Sequence, residues 1–494
     1  MLIDQFPAIV VGVPLVAAAL CAIVRNETAC WLIALAVAFL SFVGSATMLG
    51  QIQEYGVALS YEMGGWAPPA GIELRVDLLS GYLLVLVSLI ATAVLIYGRQ
   101  SVRVEIKESI RGWYYTMYLL CMCGLLGIVI TGDAFNAFVF MEISSLSMYT
   151  LIALGKDRRA LAAAYQYLIM GTIGATMYVI GVGLLFTITG TLNLVDMADR
   201  LAPLLDTPAA IAGMAFVVVG LSLKIALFPL HLWLPNAYAF APSAVTAFLA
   251  ATATKVSIYL LMRFIYSVFG FGFAIEQTPI PEVVMVLSIA AIFAGSFSAI
   301  FQENIKRMLA YSSVAQIGYI TLGIALANAT GLTGSLVHIF NHAVMKGALF
   351  MLVGGIALQI GTVRLSDMAG VGKAMPLTMF GFVLGGFSML GVPGTVGFVS
   401  KWYLAIGALE NGWWWVVALL MLSSLLVLAY MGRVIEVAFF RERPEGAPPI
   451  SEAPKSMLMT AWVFILACIY LGFDTSFTVG VAQQAVDVLM GGAQ

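Results

Sequence analysis

The sequence predicts an all-α polytopic membrane protein of about fourteen transmembrane helices in two halves of opposite orientation, with helices 7 and 12 broken. Three observations lead there. The 494-residue chain is 62% hydrophobic and 10% charged, whereas soluble domains are about 25% charged, and its mean hydropathy is +1.02. Apolar runs near the length needed to cross a bilayer recur from end to end. Two of these runs are interrupted by Pro or Gly, and each carries a lysine beside the interruption.

In order, the spans fall at about 6–24, 29–49, 78–98, 114–131, 134–154, 161–187, 209–240, 243–264, 282–301, 304–326, 330–358, 375–408, 412–440 and 456–476. The first follows Asp4 and has no basic leader, so it reads as a span and not as a cleaved signal. Two long polar connections read as surface loops without chemistry of their own. These are 51–77, with Glu54, Glu62, Trp66, Pro68, Pro69 and Glu73, and the proline-rich stretch Arg441–Lys455. Cys21, Cys30, Cys121, Cys123 and Cys468 lie in or beside apolar runs and read as small buried hydrophobes, with no Cys/His spacing suited to a metal.

Charge orients the bundle. Of the 23 Lys and Arg residues, sixteen fall in connections after odd-numbered spans, from Arg25 to Lys455, and include Lys306 and Arg307. Only Arg75, Arg200 and Arg263 follow even-numbered spans. The positive-inside rule then places the odd connections in the cytoplasm and both termini outside. A net charge of −2 gives no sign of a nucleic-acid partner.

The stretch Gly220–Phe264 organises the rest. It holds Lys224 and Lys255 in successive apolar segments, with Pro229 and Pro235 flanking His231 between them. Proline removes a backbone donor and clashes with the preceding turn. Broken backbone at membrane depth persists only when packed in protein or lining a wet cavity. A lysine at mid-bilayer costs roughly 2.5–3.5 kcal/mol on insertion scales, so two of them beside a break point to an ion pathway, with snorkelling to an interface as the bland alternative.

Further ionisable groups join them. Glu142 lies in mid-span and calls for a basic partner, while Asp133 suits a helix N-cap. His338, His342 and Lys346 are spaced four apart, which puts them on one helical face. Such a ladder can pass protons, and it can equally be a polar helix–helix contact. In GGFSMLGVPGTVGFVSKWYL, Gly391, Pro393, Gly394 and Gly397 break a span just before Lys401, echoing Lys224 beside Pro229. Interrupted segments paired in two halves are the sequence pointer to a transport site, and the offset of five spans makes the halves inverted. Two classes of function stay open: an ion-translocating subunit, and a scaffold whose ionisable groups glue helices together.

Five motifs then carry a resemblance over essentially the whole chain: TGDAFNAFVFMEI around Glu142, KIALFPLHLWLPNAYAFAPSAVTAFLAATATK from Lys224 to Lys255, NIKRMLAYSSVAQIGYI from Asn304, HIFNHAVMKGALF from His338 and GVPGTVGFVSKW around Lys401. The chain resembles the antiporter-like membrane subunits shared by Mrp-type multisubunit cation/proton antiporters, respiratory complex I and membrane-bound hydrogenases. Its length, TGDAFNAFVF and Lys401 look most like the Mrp D-type subunits.

The resemblance implies one integral-membrane domain over 1–494: spans 1–3 at 1–98, a five-helix repeat at 114–264, its inverted partner at 282–440, and a last span at 456–476. It implies a multi-pass protein of the bacterial plasma membrane that moves protons, with sodium as the coupled cation, beside other membrane subunits of the same complex. Glu142 and Lys224 would form the key pair, Lys255 and His338 would connect the halves, and Lys401 would open the far half-channel. His231, His342 and Lys346 are the possible relay groups. Nothing in the sequence suits a quinone, flavin or iron–sulfur cluster, so no cofactor is expected and any redox chemistry belongs to partners.

Overall fold

The computed structural model describes residues 5–446 and 449–491. Asp4, and Ala447 and Pro448 of the second long connection, lie outside the described residues. The chain begins with α1 (Phe6–Val24) and α2 (Glu27–Tyr55), then a hairpin of β1 (Leu59–Glu62) and β2 (Glu73–Val76). Next come α3 (Leu78–Glu105), α4 (Arg111–Ile130), α5 (Ala134–Ala153), α6 (Arg159–Thr189) and the short α7 (Leu194–Leu201). The first broken span is α8 (Pro208–Ile225) plus α9 (Trp233–Phe240), followed by α10 (Ser243–Met262) and the turn α11 (Phe271–Ala274). The second half runs α12 (Ile280–Ile300), α13 (Ile305–Ala325), α14 (Ala329–Ile360) and the turn α15 (Val371–Ala374). The second broken span is α16 (Pro376–Leu390) plus α17 (Val396–Glu410), and α18 (Trp414–Ile435), α19 (Lys455–Phe473) and α20 (Ser476–Leu489) complete the chain.

Among the described residues, thirteen helices are long and apolar enough to cross a membrane. The second broken span makes fourteen crossings, at the places the sequence predicts and with both breaks where Pro and Gly interrupt the runs. Local chemistry sets the helix starts. Asp133 accepts from Asn136 N at 2.6 Å to open α5, and Asn304 accepts from Arg307 N at 3.0 Å to open α13. Asp77 and Ser80 form a reciprocal capping box on α3.

The core centres on α14, whose 32 residues span about 48 Å. It packs against α10, α13, α16, α17, α19 and α20. Helices α10 and α13 are almost wholly enclosed, while α18 and α19 present much of their surface outward. All five cysteines are buried and free.

Three expectations are corrected. The connection 51–77 is not a plain loop: β1 and β2 pair antiparallel, Leu59 opposite Val76. Buried Glu73 accepts from Ser60 Oγ at 2.7 Å and Asn193 Nδ2 at 2.9 Å, which docks the hairpin on the start of α7. The second long connection does carry chemistry, since Glu452 accepts from Leu377 N at 2.6 Å and so caps the first turn of α16. Finally, Lys306 and Arg263 are not solvated loop residues. Lys306 is buried in the first turn of α13, and Arg263 pairs with Asp77 just past α10.

Candidate functional site

At the first break, α8 ends with Ala226 in the left-handed region (φ 61°), and the chain unwinds over 226–232. Trp233 Nε1 donates to Leu223 O at 3.0 Å, beside the Ala226 N–H that bonds the same carbonyl at 3.2 Å, and so ties the unwound segment to the end of α8. Lys224 lies in the last turn of α8, where the helix dipole favours a cation. Its side chain is buried, and its Nζ donates to Ser145 Oγ at 2.8 Å and lies 3.7 Å from Glu142 Oε1. Glu142 and Ser145 are three apart on α5 and so share a face. The Glu142 side chain is 26% exposed, shallower than its mid-span position suggests. His231 sits in the unwound segment, its ring 5.3 Å from Phe228 and 6.4 Å from Tyr311 of α13.

Lys255 is wholly buried in α10 and donates to Ala250 O and, at 3.4 Å, to Thr254 Oγ. No ion pair holds it among the described residues, and no hydrogen bond joins it to Lys224 there. Its helix α10 packs against α14, which carries His338, His342 and Lys346. The His338 and His342 rings lie parallel, 5.9 Å apart. His338 contacts Ser400 Oγ through Nδ1 at 2.7 Å and Gln316 Oε1 through Nε2 at 2.9 Å. Lys346 donates to Leu309 O at 2.8 Å and to Ser312 Oγ. The ladder spaced by fours therefore faces α13 and α17, both across the core.

At the second break, α16 ends at Gly391, whose φ of +89° suits glycine. Lys401 of α17 reaches back across it, donating to Met389 O at 3.2 Å, Leu390 O at 2.9 Å and Ser424 Oγ at 2.9 Å. Its Nζ also lies 5.0 Å from the Tyr319 ring, which meets His338 edge-on at 5.6 Å. Gly397 makes the crossing possible, because a Cβ there would fall 1.7 Å from Ser388 O.

These contacts give a line from His342 through His338 to Tyr319 and Lys401, with Lys346 held by α13, Lys255 on the adjoining α10 and Glu142–Lys224 as a separate pair. Several buried polar atoms in this line and around the first break have no hydrogen-bond partner among the described residues: Glu142 Oε1, His231 Nδ1, both ring nitrogens of His342, Asn341 Oδ1 and Gln316 Nε2. Buried polar groups are normally satisfied, by ordered water where protein cannot reach. The arrangement therefore has the polarity and the hydrogen-bonding capacity to take ordered water between these groups. Among the described residues no three His, Cys, Asp or Glu side chains gather as a metal cage.

Sequence reasoning missed the neutral partners Ser145, Ser312, Gln316, Tyr319, Ser400 and Ser424. The only signal for them was polarity inside apolar runs, as in YSSVAQIGY.

Residues 131–427 match the family described as NADH:quinone oxidoreductase/Mrp antiporter, TM. The N-type subunit of the NADH-quinone oxidoreductase of Desulforudis audaxviator (strain MP104C) is 44% identical over 465 residues, covering 92% of each chain. The D-type subunit of the Na(+)/H(+) antiporter of Bacillus subtilis (strain 168) is 30% identical over 429 residues, 87% of this chain and 85% of that one. A chain of the Mrp complex from Dietzia sp. DQ12-45-1b superimposes with a TM-score of 0.90 at 25% identity, covering 99% of this chain and 98% of its own. With its breaks, buried lysines and histidine ladder in place, the chain belongs to the transmembrane subunit family shared by NADH:quinone oxidoreductases and Mrp antiporters.

Proposed function

We propose that this chain is the proton-translocating subunit of a multisubunit monovalent cation/proton antiporter, with sodium as the coupled cation, in the bacterial plasma membrane. The observation that carries the reading is the contact of Lys224 with Glu142, 3.7 Å apart beside the first break. An ionised Glu142 favours a charged Lys224, and protonation of the carboxyl loosens the pair. The released charge acts inward on Lys255, then on the stacked histidines and Lys401, with His231 and Lys346 as side relays. The two breaks take equivalent places in two inverted five-helix repeats, 114–264 and 282–440. Other membrane subunits of the complex complete the path. The chain alone is a transporter subunit and not an enzyme.

A second reading draws on the 44% identical relative: the same relay in a complex driven by electron transfer to quinone. Vesicles holding the whole complex separate the two. Proton movement driven by a sodium gradient without any electron donor supports the antiporter, and movement only with a reduced donor supports the redox complex. The scaffold alternative is tested by Lys224→Ala. A pathway role gives an assembled, inactive complex, whereas lost assembly would mean that Lys224 is structural glue.

A further inference from the structure

On the face carrying the basic connections, a cavity of about 360 Å³ opens among the ends of α3, α9, α10, α13 and α14. Its floor is charged. Glu105 ends α3, and buried Lys306 lies in the first turn of α13. Lys306 Nζ donates to Ala241 O at 3.2 Å, just past α9. Glu105 Oε2 accepts from Ser243 N at 2.9 Å and Ser243 Oγ at 3.2 Å, at the first residue of α10. An ammonium thus sits at the C-terminal end of the first broken span and a carboxylate at the N-terminal end of the Lys255 helix, each where the dipole suits its charge. Glu105 makes no ion pair among the described residues. Lys156, Asp157, Arg159 and Arg364 line the mouth, with Asp157 and Arg159 paired at 2.5 Å.

Two polar walls lead inward from this floor. On α3, Ser101 Oγ donates to Glu105 Oε1 at 2.6 Å, and Tyr97 follows one turn deeper. The Tyr97 hydroxyl is wholly buried and has no hydrogen-bond partner among the described residues. It is seated against Gly354 of α14, where an added Cβ would lie 2.1 Å from Tyr97 Oη and 3.2 Å from Ser243 Oγ. Gly354 is two turns, about 12 Å, from Lys346 along that helix. On the other wall, α13 carries Lys306 and then the Leu309 carbonyl and Ser312 hydroxyl that hold Lys346.

We propose that this cavity is the port through which protons pass between the bulk phase on the basic face and the Lys346–His342–His338 ladder, with Glu105 as its loading group. The inference rests on the proton-relay reading of the ladder. The Glu105 carboxylate takes a proton from hydronium, leaving water. It then gives that proton inward along the Ser101–Tyr97 stripe to a deeper amine or imidazole and returns to the carboxylate.

The test uses everted vesicles containing the whole complex, which turn the basic face outward, with internal pH read by a dye. Glu105→Gln still accepts from Ser243 N and so keeps the helix cap, but it cannot titrate. Flux should fall about a hundred-fold, within the range general acid–base groups contribute, at unchanged complex content, and Glu105→Asp should restore much of it. Near-normal flux in Glu105→Gln overturns the port.

A second arm places Leu358→Cys in the cavity wall, and the native cysteines, being buried, stay silent. A charged thiol reagent added to the basic face should block flux relative to the same vesicles unlabelled, and labelling without block overturns the proposal. This arm decides the matter if Glu105→Gln fails to assemble. Glu142→Gln serves as the control. Flux lost there but kept in Glu105→Gln removes the port alone, and flux kept in both removes the relay reading beneath it.

Discussion

Lys401 Nζ lies 2.9 Å from Leu390 O, so the lysine of one half-helix closes the free end of the other. Lys224 stands in the last turn of its own half-helix, but its ammonium turns to Ser145 and Glu142 of α5. Both breaks thereby set a lysine by the negative end of a first half-helix, and at the second the ammonium itself lies there, favoured by roughly 0.3–2 kcal/mol. That offsets part of the insertion penalty without a buried carboxylate at the second break.

Lys401→Ala should abolish proton flux at normal expression, because it removes the last titrating group of the line. Lys401→Glu should keep a part, since a protonated carboxyl can still donate to Leu390 O while an ionised one is repelled by it. The order alanine, glutamate, wild type in vesicle flux is the expected result. Full flux with alanine would remove Lys401 from the path.

Glu142→Gln keeps shape and hydrogen bonding but not titration. The complex should insert normally and lose cation-driven proton movement by about a hundred-fold or more. Near-normal antiport would mean that the contact with Lys224 is structural.

His338 is oriented by Gln316 on one ring nitrogen and Ser400 on the other. His338→Ala should slow transport with assembly unchanged, and Gln316→Leu should slow it less by freeing the ring. If both variants transport at the wild-type rate, the ladder is only a packing contact.

Gly391→Ala imposes a side chain at φ +89° and sets its Cβ 3.0 Å from Lys401 Cδ. Backbone strain of this kind costs about 1–3 kcal/mol. The variant should melt at lower temperature in detergent and also lose flux through displacement of the lysine. An unchanged Tm would contradict the geometry.

Asp77 offers a pH test. Burial pushes its carboxyl up, but the Arg263 guanidinium and hydrogen bonds from Ser80 outweigh this and hold it below the usual carboxylate range. A depressed folded pKa contributes stability that is complete above the unfolded value of about 3.9 and is lost as pH falls through the folded value. Arg263→Met should therefore lower the melting temperature at neutral pH, since breaking a buried pair costs about 3–5 kcal/mol. The gap should narrow in the most acidic buffers the complex tolerates. A gap that does not change with pH would assign the loss to packing alone.

The breaks and the ionisable groups were legible because membrane depth makes Pro229, Gly391, Lys224 and Glu142 costly anywhere but at a site. The three-dimensional partners were not. Ser145 meets Lys224 from 79 residues away and Gln316 meets His338 from 22, and neutral polar residues carry little insertion penalty to mark them. The inward turn of Lys306 and Glu105 was hidden for a related reason. At the end of an apolar run, charge looks the same whether it points to water or turns inward under a neighbouring helix.

Gly397 has a mechanical consequence. With Ser388 O standing where its Cβ would be, the two halves of the second broken span are wedged together at their crossing. Sliding α17 against α16 would have to prise this contact open, so the two half-helices are held as one unit. What is left free to move at this break is side-chain rotamers, Lys401 among them, and not the half-helices themselves.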